Sequence, residues 1–211
     1  MRTPQLQPAP PGSAAGATWL SSALPPDLFT PRGCALDGFA ATARLLHPAG
    51  DVDGHPELGE LGEPGWDALL SHLTRWSGSD AACLLAVDED LPWVRGGAHV
   101  GFYGDPHHSE PPQEPAFGAE LLTAAPRVQL LRTCLLLSGP LAAVRTLGRT
   151  WRHRDRRWFE RHGPTALWPA GRSWLVLTDL DADRTVLAGP RTLVDAVSAD
   201  DRLEAQPQAA S

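Results

Sequence analysis

The sequence has no lysine, no isoleucine and no asparagine, and only one methionine and one tyrosine. The three missing residue types have A/T-rich codons, while Ala, Pro, Gly, Leu and Asp abound. This bias points to a GC-rich, actinobacterial genome. All 18 basic residues are therefore arginine, and their presence is no sign that guanidinium was selected over ammonium chemistry. Cysteine is scarce as well. Cys34, Cys83 and Cys134 lie far apart, make no metal-ligand spacing and are odd in number. They exclude a disulfide framework and predict a reducing, cytoplasmic interior. No apolar run reaches the roughly 18 residues of a membrane span. The first residues lack the basic-then-apolar pattern of a secretion signal. Net positive charge is missing too: at -7 the chain is not a generic nucleic-acid binder.

What is present is enough for one packed domain. The chain has 211 residues, of which 42% are hydrophobic. Residues 1–30 are rich in Pro, Ala, Gly and Ser and predict a disordered tail with one docking segment near Trp19. A single domain is expected over 31–207, followed by a short tail at 208–211. Within it, Asp37 to Leu46 reads as a helix with Phe39, Ala43 and Leu46 on one face. Trp66 to Trp76 reads as a second helix, with Trp66, Leu69, Leu70, Leu73 and Trp76 at helical spacing. Ala81 to Val87, Ala98 to Tyr103 and Val128 to Leu137 read as strands, and residues 104–119 as a Pro-rich loop. Leu141 to about His162 reads as an arginine-rich helix, with Leu141, Val144, Leu147, Trp151 and Trp158 on its apolar side.

The C-terminal stretch is the most informative. Trp174 to Leu180 is short, apolar and β-prone, Asp181 to Arg184 is a polar turn, and Thr185 to Ala188 is a second strand. Gly189-Pro190 then opens a helix with an apolar stripe of Leu193, Val194 and Val197. Together these segments predict an α+β fold, a mostly antiparallel sheet with flanking helices and a C-terminal β-hairpin plus helix.

Two motifs carry a resemblance. One is FAATARLLHPA, Phe39 to Ala49. The other runs Trp168-Pro169-Ala170-Gly171-Arg172-Ser173-Trp174 and on through Thr178, Asp179, Asp181, Thr185, Gly189 and Leu203-Glu204. They are similar to a family of uncharacterised actinobacterial proteins that carry "YARVLHPA" early and "WPADRAW…TEID…TYVGGS" late. Gly171 stands where that family has Asp, and Pro190 where it has Ser. The resemblance implies architecture and no reaction. Trp168 and Trp174 bracket Arg172, which suggests a cation–π contact there.

Asp179, Asp181 and Asp183 follow an apolar strand in the manner of a haloacid-dehalogenase-type phosphatase loop, with one Asp as nucleophile and one as acid/base. Such a loop opens its domain and needs a later lysine and acidic pair; this one sits near the end of a lysine-free chain. An EF-hand fails because Arg184 and Pro190 stand where Gly and Glu belong. The expectation is a solvated turn. Arg145, Arg149, Arg152, Arg154, Arg156, Arg157 and Arg161, with His153 and His162, form a basic stretch able to meet phosphates or an acidic partner. Asp155 and Glu160 interrupt it, and a solvated or internally paired face is expected. His99, His107 and His108 with Asp105 lack ordered ligand spacing, so no metal is assigned. His47 reads as a structural cap or core histidine, and Ser138-Gly139 as a strand-to-helix turn able to bind an anion. No Gly-x-Ser-x-Gly and no phosphate-binding Gly-rich loop occurs.

The sequence thus favours a non-catalytic protein-binding or accessory module with no cofactor, no metal and no membrane, whose partner is another protein. Its expected contact residues are Trp168, Arg172 and Trp174 together with Arg149, Arg152 and Arg156. The alternatives are a metal-dependent hydrolase built on Asp179, Asp181 and Asp183 with His47, and nucleic-acid binding through the basic stretch 145–161.

Overall fold

The computed structural model describes residues 5–25, 28–30, 36–50, 54–96, 115–153 and 156–208. Its elements in chain order are β1 (Gln7–Pro8), α1 (Ser13–Ala23), β2 (Ala41–Leu46), α2 (Gly62–Ser77), β3 (Ala82–Asp88), α3 (Pro92–Arg95), α4 (Ala119–Ala124), β4 (Arg127–Gln129), β5 (Thr133–Pro140), a 3₁₀ turn (Leu141–Thr146), β6 (Gly148–His153), β7 (Arg156–Arg161), β8 (Ala166–Pro169), β9 (Leu175–Thr178), β10 (Arg184–Gly189), α5 (Arg191–Ser198) and β11 (Ala205–Gln208). Nine strands form one sheet in the order β1-β5-β3-β8-β9-β10-β2-β11, with β4 also on β5. All its pairings are antiparallel. The fold is α+β with a mostly antiparallel sheet and flanking helices, as the sequence predicts.

Alternation along the strands divides the core in two. Leu85 and Val87 of β3, Leu135 and Leu137 of β5, Val176 of β9 and Leu187 of β10 face one side, where α2 and α5 contribute Trp66, Leu69, Leu73, Val194 and Val197. Ala86, Leu136, Trp168, Leu175, Leu177 and Val186 face the other, where Ala17 and Leu20 of α1 join Leu28 and Leu36. A sheet covered on both faces buries both phases of its strands, so β8, β9 and β10 are buried throughout.

The C-terminal hairpin forms as expected. Thr185 pairs with Thr178 and Ala188 with Leu175, and α5 follows with Leu193, Val194 and Val197 buried. Trp66 to Trp76 lies within α2, although Trp76 is exposed.

Other segments depart from expectation. Asp37 to Leu46 is not a helix; its second half is β2, held between β10 and β11. Ala and Leu favour helix intrinsically, but Ala41, Ala43 and Leu45 also alternate with Thr42 and Arg44. Partner strands on both edges select that period-two reading. Val128 to Leu137 is two strands, β4 and β5, folded back at Leu130–Arg132, where the Leu130 N–H donates to the Arg132 carbonyl at 3.0 Å. Ser138-Gly139 is no strand-to-helix turn: both residues sit inside β5, opposite β3.

The arginine-rich helix is also absent. Its residues form the 3₁₀ turn and then a separate two-stranded ribbon, β6–β7, in which Trp151 faces Trp158 and Arg149 faces Glu160. Their seven-residue spacing mimics a helical repeat but is a cross-strand register. At Gly148, with φ at 150°, a Cβ would lie 2.1 Å from the Glu160 carbonyl oxygen, so a side chain there would block the close approach of the two strands. Thr150, Trp151, Trp158 and Phe159 are strand formers that outweigh the helix preference of arginine.

The segment read as a tail carries β1 and α1. The Ala9 N–H donates to the Leu136 carbonyl at 3.0 Å, and Leu20 is fully buried. Docking near Trp19 is thus a packed helix, on which Trp19 meets Trp168 edge-on at 6.3 Å.

Candidate functional site

The structure disperses most of the predicted site residues. In the β9–β10 turn, the Asp179 carboxylate accepts from the Asp181 N–H at 3.2 Å. Arg132, from the β4–β5 turn, donates to Asp181, lies 3.9 Å from Asp179 and 3.6 Å from buried Asp88. Asp183 accepts from Arg184 at 2.6 Å, and that hydrogen bond holds its carboxyl below the usual range. His47 is buried; its Nδ1 lies 2.7 Å from the Glu57 carbonyl and its Nε2 3.0 Å from Thr185 Oγ1, which meets Thr178 Oγ1 at 2.8 Å. Every polar atom of this relay has a partner, and burial lowers the His47 pKa. The aspartates and His47 therefore stabilise the turn between β9, β10 and the loop before α2. Among the described residues no group of three or more His, Cys, Asp or Glu is arranged to hold a metal. His99, Asp105, His107, His108 and Arg154 lie outside the described residues, as do Cys34 and the strand expected at Ala98 to Tyr103. Cys83 and Cys134 are free and buried, and burial pushes each thiol up to about 12.

Trp168 and Trp174 do not share Arg172. They lie on opposite faces of the sheet and are 1% and 0% exposed. Trp174 donates its indole N–H to Ser77 Oγ at 2.8 Å. The cation–π partner of Arg172 is instead Trp19, with the guanidinium 5.0 Å from the ring centroid and one N–H on the Gly16 carbonyl at 2.7 Å. This seam fastens α1 to the sheet, and neither tryptophan is available to a partner.

Among the described residues, two neighbouring features can meet another molecule. The first is the β6–β7 ribbon. Trp151 and Trp158 stack at 6.0 Å, and the Arg149 guanidinium sits 3.8 Å above the Trp151 ring. Arg149 and the Trp151 indole N–H both donate to Glu160. Burial raises the Glu160 pKa, but these hydrogen bonds outweigh it and hold the carboxyl low. Arg161 turns the other way, onto Glu63 and Asp67 of α2. Arg156 and Arg157 are exposed, and Trp158 and Phe159 are 47% and 46% exposed. Arg152 stands opposite Arg157 in the register.

The second is a cavity of about 440 Å³ at the root of this ribbon, lined by Glu60, Asp88, Trp93, Arg149, Glu160 and His162 among others. His162 stacks on Trp93 at 4.9 Å, with its Nδ1 3.1 Å from Glu60 Oε2 and its Nε2 3.8 Å from Glu160 Oε2. His162 was visible in the sequence as part of the basic stretch. Glu60, Asp88 and Trp93 gave no local signal, because the segment before α2, the end of β3 and α3 bring them together only in the fold.

No protein-family model matches the chain, and no curated protein or solved structure is significantly similar to it. Its site must be read from its own residues. No helix among the described residues is long and apolar enough to cross a membrane.

Proposed function

We propose that the chain is a non-catalytic binding or accessory protein that acts in the cytoplasm by contact with another protein, and that the β6–β7 ribbon is its contact surface. One observation carries this reading: Trp158 and Phe159 are each nearly half exposed beside exposed Arg156 and Arg157, on a two-stranded ribbon outside the main sheet. Aromatic residues and arginine are the types that concentrate binding energy at interfaces. Arg149 and Arg161 are taken up by Glu160, Glu63 and Asp67, but Arg156 and Arg157 are exposed beside the aromatic pair, so the partner surface is acidic. Arg149, Arg152 and Arg156 lie on this ribbon. Trp168, Arg172 and Trp174 belong to the scaffold of the main sheet and α1. Two buried free thiols agree with a reducing compartment.

The hydrolase alternative draws little support from the geometry, because Asp179 and Asp181 are bound by Arg132 and His47 is fully engaged. The nucleic-acid alternative rests on the stacked Trp151–Trp158 pair with its arginines, since exposed rings and guanidinium groups also stack on bases. Affinity capture of the tagged protein from its own host separates them, with wild type compared with Trp158→Ala and with Arg156→Glu/Arg157→Glu. The expected result is an acidic protein retained by wild type, reduced about tenfold or more in both variants, and rebinding when purified. A partner held equally by all three chains overturns the reading. Nuclease-sensitive retention with a steep salt dependence selects nucleic acid instead.

A further inference from the structure

We infer that the cavity at the root of the ribbon binds a small organic cation, a primary ammonium or guanidinium carried on an apolar body. The argument begins with charge. Four carboxylates line it: Glu57 is exposed at the edge, Asp88 has Arg132, Glu160 has Arg149, and Glu60, among the described residues, is paired only with the imidazole of His162. The interior of the cavity therefore holds one carboxylate, Glu60, without an arginine.

Hydrogen bonding points the same way. Glu60 Oε2 accepts from His162 Nδ1, while Glu60 Oε1 is shielded from water and has no partner; His162 Nε2 is likewise shielded and unpartnered. Glu60 Oε1 is an acceptor closed off from solvent, and a shielded acceptor without a donor is costly. The last torsion of a glutamate is broad, so rotation of the carboxylate presents Oε1 to an N–H group brought into the cavity by a ligand.

The walls decide between an organic cation and a metal ion. Trp93 and the leucines Leu58 and Leu180 line the same space, and Leu58 and Leu180 are exposed at its mouth. A hard divalent ion such as calcium takes six or more oxygen ligands, and among the described residues no three His, Cys, Asp or Glu side chains are arranged to hold a metal. At about 440 Å³ the space is that of a small-molecule pocket rather than an ion cage. The net charge of -7 favours the approach of cations.

Calorimetric titration of the full chain with phenethylammonium, against its neutral isostere 2-phenylethanol, and with agmatine, against the neutral aliphatic alcohol 1-pentanol, tests this. Saturable one-site binding is expected for at least one cation, at least tenfold tighter than for its alcohol. Glu60→Gln should remove that preference. Because Glu60 is partly buried, a second variant at the exposed rim, Leu180→Arg, keeps the test sound if Glu60→Gln unfolds: it should weaken the cation at least tenfold while thermal unfolding stays near wild type. Absence of saturable binding by both cations, equal binding of the alcohols, or indifference to both substitutions overturns the inference. The ribbon experiment reads retention of a protein partner and this one binding of a small cation by the purified chain, so either result can fail without the other.

Discussion

Gly163 sits against the indole of Trp66: a Cβ there would lie 2.2–2.4 Å from three atoms of that ring. Trp66 is fully buried in α2. Gly163→Ala should therefore destabilise the fold by about 1–3 kcal/mol, read as a lower urea midpoint with an unchanged slope. His47 makes a second residue-scale prediction. Its folded pKa is below the ordinary value of about 6.5 because burial favours the neutral ring. Below pH 6.5 the unfolded chain binds the proton more readily, so the stabilisation present above that pH is lost as pH falls toward the folded pKa. The melting temperature should drop between pH 7.5 and 5.5, and His47→Gln should flatten part of that slope. An identical slope in the variant would show that His47 does not cause it. The Asp200 carboxyl responds in a lower window. Hydrogen bonds from Arg202 and His72 hold its pKa well below the usual carboxylate range. Its contribution is present above about pH 4 and declines as the medium becomes more acidic.

Whole elements were legible where one periodicity stood alone. The apolar run of β9, its polar turn and β10 admit no helical reading, and Leu193, Val194 and Val197 admit no strand. Alanine, leucine and arginine in β2 suit either state, and only its neighbours β10 and β11 decide. The ribbon was misread because Trp151 and Trp158, seven residues apart, fit a helix face as well as a cross-strand pair. Its Arg149–Glu160 contact depends on the pairing of His153 with Arg156, which no glycine or proline in the sequence between them announces. The cavity was illegible for another reason: Glu60 precedes α2, Trp93 is in α3, and Glu160 and His162 stand at the end of β7 or just past it. No spacing rule relates them. At this scale Arg172→Ala should loosen α1, removing the guanidinium from Trp19 and from the Gly16 carbonyl at a cost of about 1 kcal/mol. Faster amide exchange confined to 13–23, with β9 and β10 unaffected, is the expected signature. Uniform exchange across the sheet would place Arg172 elsewhere in the energetics.

The molecule as a whole depends on both faces of its sheet being covered. Remove α1 and the segment to Leu28, and Trp168, Leu136, Leu175 and Leu177 lose the cover that Ala17, Leu20 and Leu28 provide. Leu20 and Leu28 alone bury side chains worth about 1.5–3 kcal/mol each, a large share of the 5–15 kcal/mol typical of a domain. The exposed face would also be continuous and apolar, the kind of surface that drives association. Deleting residues 1–30 should therefore lower the urea midpoint sharply, raise binding of a hydrophobic dye and promote aggregation at micromolar concentration. The other core, with Trp66, Trp174 and α5, stays packed in that variant, so helical circular dichroism should fall only by the share of α1. If the shortened chain melts at the wild-type midpoint and binds no dye, the N-terminal segment is an ornament on a sheet that is stable with one face bare. The separation of the two cores by the sheet would then have no energetic meaning. The arrangement of Trp168 beneath Trp19 and Arg172 argues for the opposite outcome, because a tryptophan only 1% exposed is hidden from water on that face by a helix that the first thirty residues alone supply.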